Sequence, residues 1–159
     1  MIDTRNFMNR TGVRTFEAAA FLRRCGADIT RVRKMFRDDM ESYRAKAETV
    51  RMAEVYRSEY AIAECPGDID SPTVLGAQAA NELLDISGIK ASFVLTIYNG
   101  RIFLSARSID EVNVQIIAEK LGGGGHINAA GAQFDHTNVQ EAIRRLKETI
   151  DQMIEAGDI

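Results

Sequence analysis

The stretch that decides the fold is ASFVLTIYNGRIFLSARS, residues 91–108. Its first eight residues, Ala91–Tyr98, are almost wholly apolar, which is typical of a strand buried at the centre of a sheet. Asn99-Gly100 separates this run from a second one at residues 101–107, and an Asn-Gly pair between two such runs predicts a tight β-hairpin. We therefore expect two neighbouring antiparallel strands here.

The segments around this hairpin predict further strands alternating with helices. Before it, residues 60–65 (YAIAEC) predict a short strand, and a helix begins at Ser71-Pro72 and stops near Gly88. After it, we expect a helix at 112–121, a strand at 132–134 and a closing amphipathic helix marked by Val139, Ile143, Leu146, Ile150 and Met153. The order β-α-β-β-α-β-α predicts an α/β (α+β) fold, with helices packed on a small mixed sheet.

A helical segment precedes this sheet. Residues 13–25 predict a helix that ends at Gly26, and Asp28 predicts the start of a second one. Helix-forming residues then continue from about 38 to 57. An apolar stripe along this segment needs a partner surface: Phe36, Met40, Tyr43, Ala47 and Val50. The stripe either packs within the chain or belongs to a helical linker that lies between domains or subunits.

Composition and charge exclude several classes of protein. The 159 residues are 45% hydrophobic and 27% charged, as in ordinary soluble globular proteins. The sequence has no apolar run of about 18 residues that could span a bilayer, and from its polar opening we expect no secretory signal. The two cysteines, Cys25 and Cys65, form no CxxC motif, which favours free thiols and a cytoplasmic location.

The charge balance changes sign along the chain. Residues 1–57 carry 13 Lys/Arg and 8 Asp/Glu, whereas residues 58–159 carry 7 and 15. This change indicates two units with different neighbours. The acidic second unit argues against broad affinity for duplex nucleic acid, so any bound phosphate must be held locally.

The segment GGGGHINAAG, residues 122–131, is the strongest candidate for a binding site. Backbone N–H groups of Gly123, Gly124 and Gly125 can approach an anion closely and form a nest, because glycine lacks a Cβ. His126 can donate to the same anion, and Asn128 lies beside the space left by the small residues that follow. The alternative is a flexible turn with a surface histidine.

A second candidate cluster lies at the end of the hairpin's second strand. The guanidinium of Arg107 suits bidentate phosphate recognition, and Ser108 adds a hydroxyl beside it. Side chains at a strand end are well placed to face a ligand. Asn113 either orients the ligand or has a capping or surface role.

Together, residues 105–107, Asn113 and GGGGHINAAG resemble the DHH-associated domain of the DHH phosphoesterase superfamily. The pattern is similar to the membrane-anchored cyclic-di-AMP phosphodiesterase branch over nearly the whole chain, from DTRNFMNRTGVRTFEAAAFLRRCGAD through the hairpin to NVQIIAEKLGGGGH. The resemblance implies a substrate-binding domain that recognises the phosphates of a cyclic dinucleotide or short oligonucleotide. Two alternatives stay open: the same domain of an oligoribonuclease or phosphoadenosine-phosphate phosphatase, and a stand-alone nucleotide-binding or regulatory module.

The resemblance also implies a catalytic DHH domain that precedes this one and holds two Mn²⁺ ions. No Asp-His-His triplet occurs here, and Asp3 alone matches a metal-binding aspartate of that family, so we expect this chain to be inactive by itself. One carboxylate binds such an ion too weakly. The implied division is 1–35 for a remnant of the DHH domain, 36–57 for a linker helix and 58–159 for the DHH-associated domain, with Met1 opening in the middle of a domain.

The implied partners follow from the same resemblance. The DHH domain would contact this chain in cis, and a homodimer is a further option. We expect the chain itself to make no direct membrane contact, and to lie on the cytoplasmic side of a membrane-anchored parent.

Overall fold

The computed structural model describes Thr4, Phe7 and residues 11–159, and divides the chain into two units, Met1–Asp38 and Asp39–Ile159. The described part of the first unit contains α1 (Val13–Arg24) and α2 (Ile29–Met35), neither of which buries a residue. As predicted, Asp28 begins α2: its carboxylate accepts hydrogen bonds from the backbone N–H groups of Thr30 and Arg31, at 2.8 and 3.3 Å.

The second unit is a mixed sheet with helices on both faces, which confirms the predicted fold class. Its strands lie in the order β1-β2-β3-β4-β6-β5, and only β2 and β3 run parallel. The elements are α3 (Met40–Arg51), β1 (Glu54–Tyr56), β2 (Tyr60–Cys65), α4 (Pro72–Leu83), β3 (Ala91–Tyr98), β4 (Arg101–Ser108), α5 (Val114–Lys120), β5 (Gly124–His126), β6 (Ala129–Phe134) and α6 (Val139–Ala156).

The continuous helix predicted up to residue 57 is wrong. Helix α3 ends at Arg51, and residues 54–56 form β1, which pairs antiparallel with β2. Arg57 and Ser58 adopt positive φ angles of 51° and 65°, so the chain turns sharply there and β1 folds back onto Tyr60–Ile62. A helix reaching residue 57 would leave β2 without this partner.

The apolar stripe predicted for this helix packs only at its C-terminal end. Val50 is half-buried against the core around Val94, whereas Met40 and Tyr43 are 65% and 57% exposed. Lys46 and Thr49 are buried instead. Lys46 is stabilised in this position by an ion pair of its Nζ with Glu82 Oε1 of α4, at 3.0 Å. Its aliphatic stem can cover apolar surface while the ammonium group stays paired.

The two faces of the sheet are covered differently. On one face, α5 and α6 bury a core that includes Phe93, Leu104, Ala106 and Ala130. On the other face, α4 covers β2 and β3 through a second core around Val94. Helix α4 also contacts β4, but the alternate side chains of β4, β6 and β5 on this side are half-buried or exposed. We call these eight residues the open half-face: Phe103, Ser105, Arg107, Gly124, His126, Ala129, Gly131 and Gln133.

Candidate functional site

The register of three strands brings Arg107 and His126, the two side chains predicted to donate to an anion, into one row. Arg107 of β4 pairs with Ala129 of β6, and Ala129 pairs with His126 of β5. Directly paired residues of antiparallel strands point to the same face, so both side chains lie on the open half-face. Two strand spacings separate their backbones, about 9.5 Å. In this register Ala129, whose side chain is a single methyl group, lies between them.

The neighbouring row has almost no side chains. Ser105 pairs with Gly131, and Gly131 pairs with Gly124. Together with Ala129, the two glycines form a smooth floor beside Arg107 and His126. A ligand can therefore contact the backbone of β5 and β6 without meeting a large side chain.

The glycine run itself differs from the predicted nest, because its first half ends a helix. Gly122 has a φ of 84°, and its N–H donates to the Glu119 carbonyl at 3.0 Å. The N–H of Gly123 donates to the Ala118 carbonyl at 2.8 Å. This pair of bonds is a Schellman motif that caps α5. These two N–H groups are consequently used by the cap, and the run continues as the edge strand β5.

The glycines of the run have different steric requirements. A Cβ on Gly123 would lie 2.0 Å from the Gly131 carbonyl oxygen, and one on Gly125 would lie 2.5 Å from the Ala129 carbonyl oxygen. Both positions therefore need glycine so that β5 can approach β6. At Gly124 a Cβ would meet nothing within 4 Å. The fold does not require glycine at this position, which faces the open side.

Ser108 and Asn128 hold the turn between β5 and β6. Ser108 is buried on the opposite side of the sheet from Arg107, and its hydroxyl donates to the Ile127 carbonyl at 3.3 Å. Its backbone N–H donates to the Asn128 carbonyl at 3.2 Å. The side chain of Asn128 donates to Asp110 Oδ1 at 2.7 Å. The structure thus places these residues beneath and beside the open half-face.

Asn113 caps α5. Its Oδ1 accepts hydrogen bonds from the N–H groups of Gln115 and Ile116, at 3.1 and 3.4 Å. Of the roles considered for this residue, the structure shows capping.

We expect Asn113→Ala to lower the free energy of unfolding by about 1 kcal/mol, because two N–H groups at the start of α5 lose their acceptor. Asn113→Asp should retain most of the stability, since aspartate caps equally well. Urea denaturation followed by circular dichroism measures both. An alanine variant as stable as the wild type would contradict the capping role.

Sequence reasoning missed Phe103 as a member of this surface. The signal for finding it is the two-residue period of a strand, because residues 103, 105 and 107 must share a face. Ser105 and Gly131 lie in the two predicted segments, but their meeting depends on the pairing of β6 with β4, which the sequence does not show.

A separate cavity of about 370 Å³ in the second unit does not suit a phosphate. It is lined by Asp39, Glu41, Ser42, Asp68, Ile69 and Asp70. Its carboxylates would repel an anion.

The described residues do not fit a metal centre: among them, no group of three His, Cys, Asp or Glu side chains could hold an ion. Asp3, the one predicted metal ligand, lies outside the described residues. Within that same described part, no helix combines the length and apolar character needed to cross a membrane.

Comparison with known proteins identifies the family. The family model that describes the DHHA1 domain matches residues 59–156 of this chain. The cyclic-di-AMP phosphodiesterase PdeA of Listeria monocytogenes is 41% identical over 152 residues, which cover 95% of this chain and 23% of PdeA. The cyclic-di-AMP phosphodiesterase GdpP of Bacillus subtilis is 42% identical over 160 residues, covering 99% of this chain and 24% of GdpP. The chain thus spans about a quarter of the length of these relatives.

A solved structure shows the same fold. The exopolyphosphatase-related protein of Bacteroides fragilis superposes with a TM-score of 0.85 at 21% identity, covering 96% of this chain and 47% of that one. These findings confirm the resemblance drawn from the hairpin and the glycine segment. The chain belongs to the DHHA1 domain family and is homologous to the C-terminal region of cyclic-di-AMP phosphodiesterases.

Proposed function

We propose that this chain binds an adenine dinucleotide through a phosphate held on the open half-face, as the substrate-binding part of a cyclic-di-AMP phosphodiesterase. The observation that carries the proposal is the row Arg107–Ala129–His126, in which two side chains able to donate to an anion flank a floor without bulky groups. The names of PdeA and GdpP, at 41% and 42% identity, support the choice of cyclic di-AMP as ligand.

The proposed contacts divide between side chains and backbone. Arg107 offers a planar fork for phosphate oxygens, and its Nη1 also donates to the Ala106 carbonyl at 2.8 Å, which orients the group. His126 is exposed on the edge strand and reaches the same ligand from the other side. Gly124 lets the phosphate approach the backbone, because no Cβ stands between them.

Binding one phosphate has a use in a phosphodiesterase. A dinucleotide has two phosphates, and holding one of them fixes the position of the other relative to the catalytic groups. We assign hydrolysis to the DHH domain of the parent protein, whose two Mn²⁺ ions would activate the attacking water. The described residues of this chain contribute recognition and no metal ligand set.

The domain division is part of the proposal. We place the substrate-binding domain at residues 58–159 and assign 1–35 to the end of the preceding DHH domain. Of the predicted linker at 36–57, α3 and β1 belong to the same compact unit as the sheet. The free thiols of Cys25 and Cys65 suit a reducing compartment, which fits a cytoplasmic position for this part of the parent.

The test compares the two histidines by calorimetry with cyclic di-AMP. We expect His126→Ala to weaken binding by about 10- to 100-fold, the equivalent of one lost charge-assisted hydrogen bond. The control is His136→Asn, which removes an exposed imidazole elsewhere and keeps a residue that tolerates its positive φ of 56°. With Mn²⁺ added to the wild-type sample, we expect the ligand to remain intact.

Three results would contradict the proposal. A wild-type chain that does not bind cyclic di-AMP would overturn the binding role. Equal affinities of the His126 variant and the wild type would remove His126 from the site. Hydrolysis that increases with the concentration of this chain would show that it carries its own catalytic groups.

A further inference from the structure

The open half-face continues beyond the proposed phosphate site to a pair of aromatic rings. Phe103 lies four residues before Arg107 on β4 and on the same face, at a distance of about 13 Å along the strand. The ring of Tyr98, on β3, packs against it, with centroids 6.5 Å apart and planes tilted by 50°. Phe103 is half-buried and Tyr98 is 39% exposed, so part of this aromatic surface faces solvent.

The charges around these rings are balanced. Arg101, the register partner of Tyr98, forms an ion pair with Asp135, with its Nε 3.2 Å from Oδ1. Gln133, the register partner of Phe103, donates to the same carboxylate oxygen at 2.9 Å. This end therefore offers an apolar ring within a neutral polar rim, which suits an uncharged planar group better than a second phosphate.

We propose that Phe103, supported by Tyr98, is the nucleobase subsite of the surface that binds phosphate at Arg107 and His126. The inference rests on the proposed function. The distance of about 13 Å exceeds the size of a single phosphate and lies within the reach of a dinucleotide. Among the described strands, the register positions between the two ends are small residues, Ser105, Gly131 and Ala129, so the sugar of the ligand has space to lie across them.

If a base of cyclic di-AMP stacks on Phe103, removing the aromatic ring should lower the affinity for this ligand. Loss of one base–aromatic contact costs about 5- to 150-fold in binding. Phe103→Leu is the informative variant, because leucine keeps apolar packing against Tyr98 but has no aromatic face. We expect it to weaken cyclic di-AMP binding within that range, and to leave the binding of ribose 5-phosphate, which has no base, unchanged.

The sequence contains no tryptophan, which allows a direct optical test. We expect the emission of Phe103→Trp, the sole indole in the protein, to be quenched when cyclic di-AMP stacks on it. The control is Ile154→Trp on α6, which packs against the opposite face of the sheet and is 39% exposed at this position. Its emission should not change.

The outcomes separate this inference from the proposed function. If the wild-type chain binds cyclic di-AMP and His126→Ala weakens it, but Phe103→Leu binds normally and Phe103→Trp is not quenched, the nucleobase subsite alone is wrong. If the wild-type chain binds no cyclic di-AMP in calorimetry, the proposed function fails, and the subsite fails with it. Quenching of Phe103→Trp together with weaker binding of Phe103→Leu supports the subsite.

Discussion

Gly125→Ala is expected to lower the free energy of unfolding by about 3 kcal/mol or more, whereas Gly124→Ala should change it by less than about 1 kcal/mol. A Cβ on Gly125 would lie 2.5 Å from both the Ala129 carbonyl oxygen and the Ala130 Cα. Because both neighbours belong to the backbone of β6, the strands would have to separate. Gly125 also has a φ of 149°, which adds strain for any residue with a side chain.

Gly124 is the matched control because it is the adjacent residue in the same strand. Its Cβ would stand in open space, and its φ is not positive. Urea titration of both variants, followed by circular dichroism and extrapolated to water, measures the difference. A Gly125→Ala variant as stable as the wild type would show that β5 does not pair with β6 as closely as described.

The second large effect concerns binding rather than stability. We expect Gly124→Val to weaken cyclic di-AMP binding by about 10- to 100-fold, because its branched side chain would cover the backbone that a phosphate must approach. Valine is favourable in a strand, so the fold should remain intact. Gly124→Ala should give a smaller loss, since a single methyl group blocks less of the surface.

Calorimetry on the two Gly124 variants, with thermal unfolding as the check on folding, distinguishes the explanations. A folded Gly124→Val variant with wild-type affinity would mean that the glycine segment is a structural turn and that the ligand does not approach β5. Loss of binding accompanied by unfolding would contradict the open environment assigned to Gly124. The expected result is lost affinity with unchanged stability.

The central hairpin could be predicted because its signals are local. The apolar run 91–98 and the Asn-Gly turn determine β3 and β4 without reference to the rest of the chain. Strand β5 could not be predicted in this way. Gly124 and Gly125 lie within it and Gly123 adjoins it, whereas glycine has a low propensity for strands. Its strand conformation comes from pairing with β6, which is a tertiary effect.

The candidate site was predictable by residue type and less so by orientation. Arg107 and Ser108 are adjacent in sequence, yet one lies on the open half-face and the other is buried beneath it, because strand side chains alternate. Similarly, the glycine run suggested a continuous nest, whereas its first half is occupied by the cap of α5. The meeting of Arg107 with His126 depends on the register of three strands, which local sequence does not specify.

The most direct test of the account is an amide chemical-shift titration of the 159-residue chain with cyclic di-AMP. We predict that the shifted amides cluster on β4, β5 and β6, with Arg107, Gly124 and His126 among them, and that the amides of α6 on the opposite face do not move. Shifts centred on α6 or on the acidic cavity at Asp39 and Asp68, or no shifts at millimolar ligand, would contradict the account.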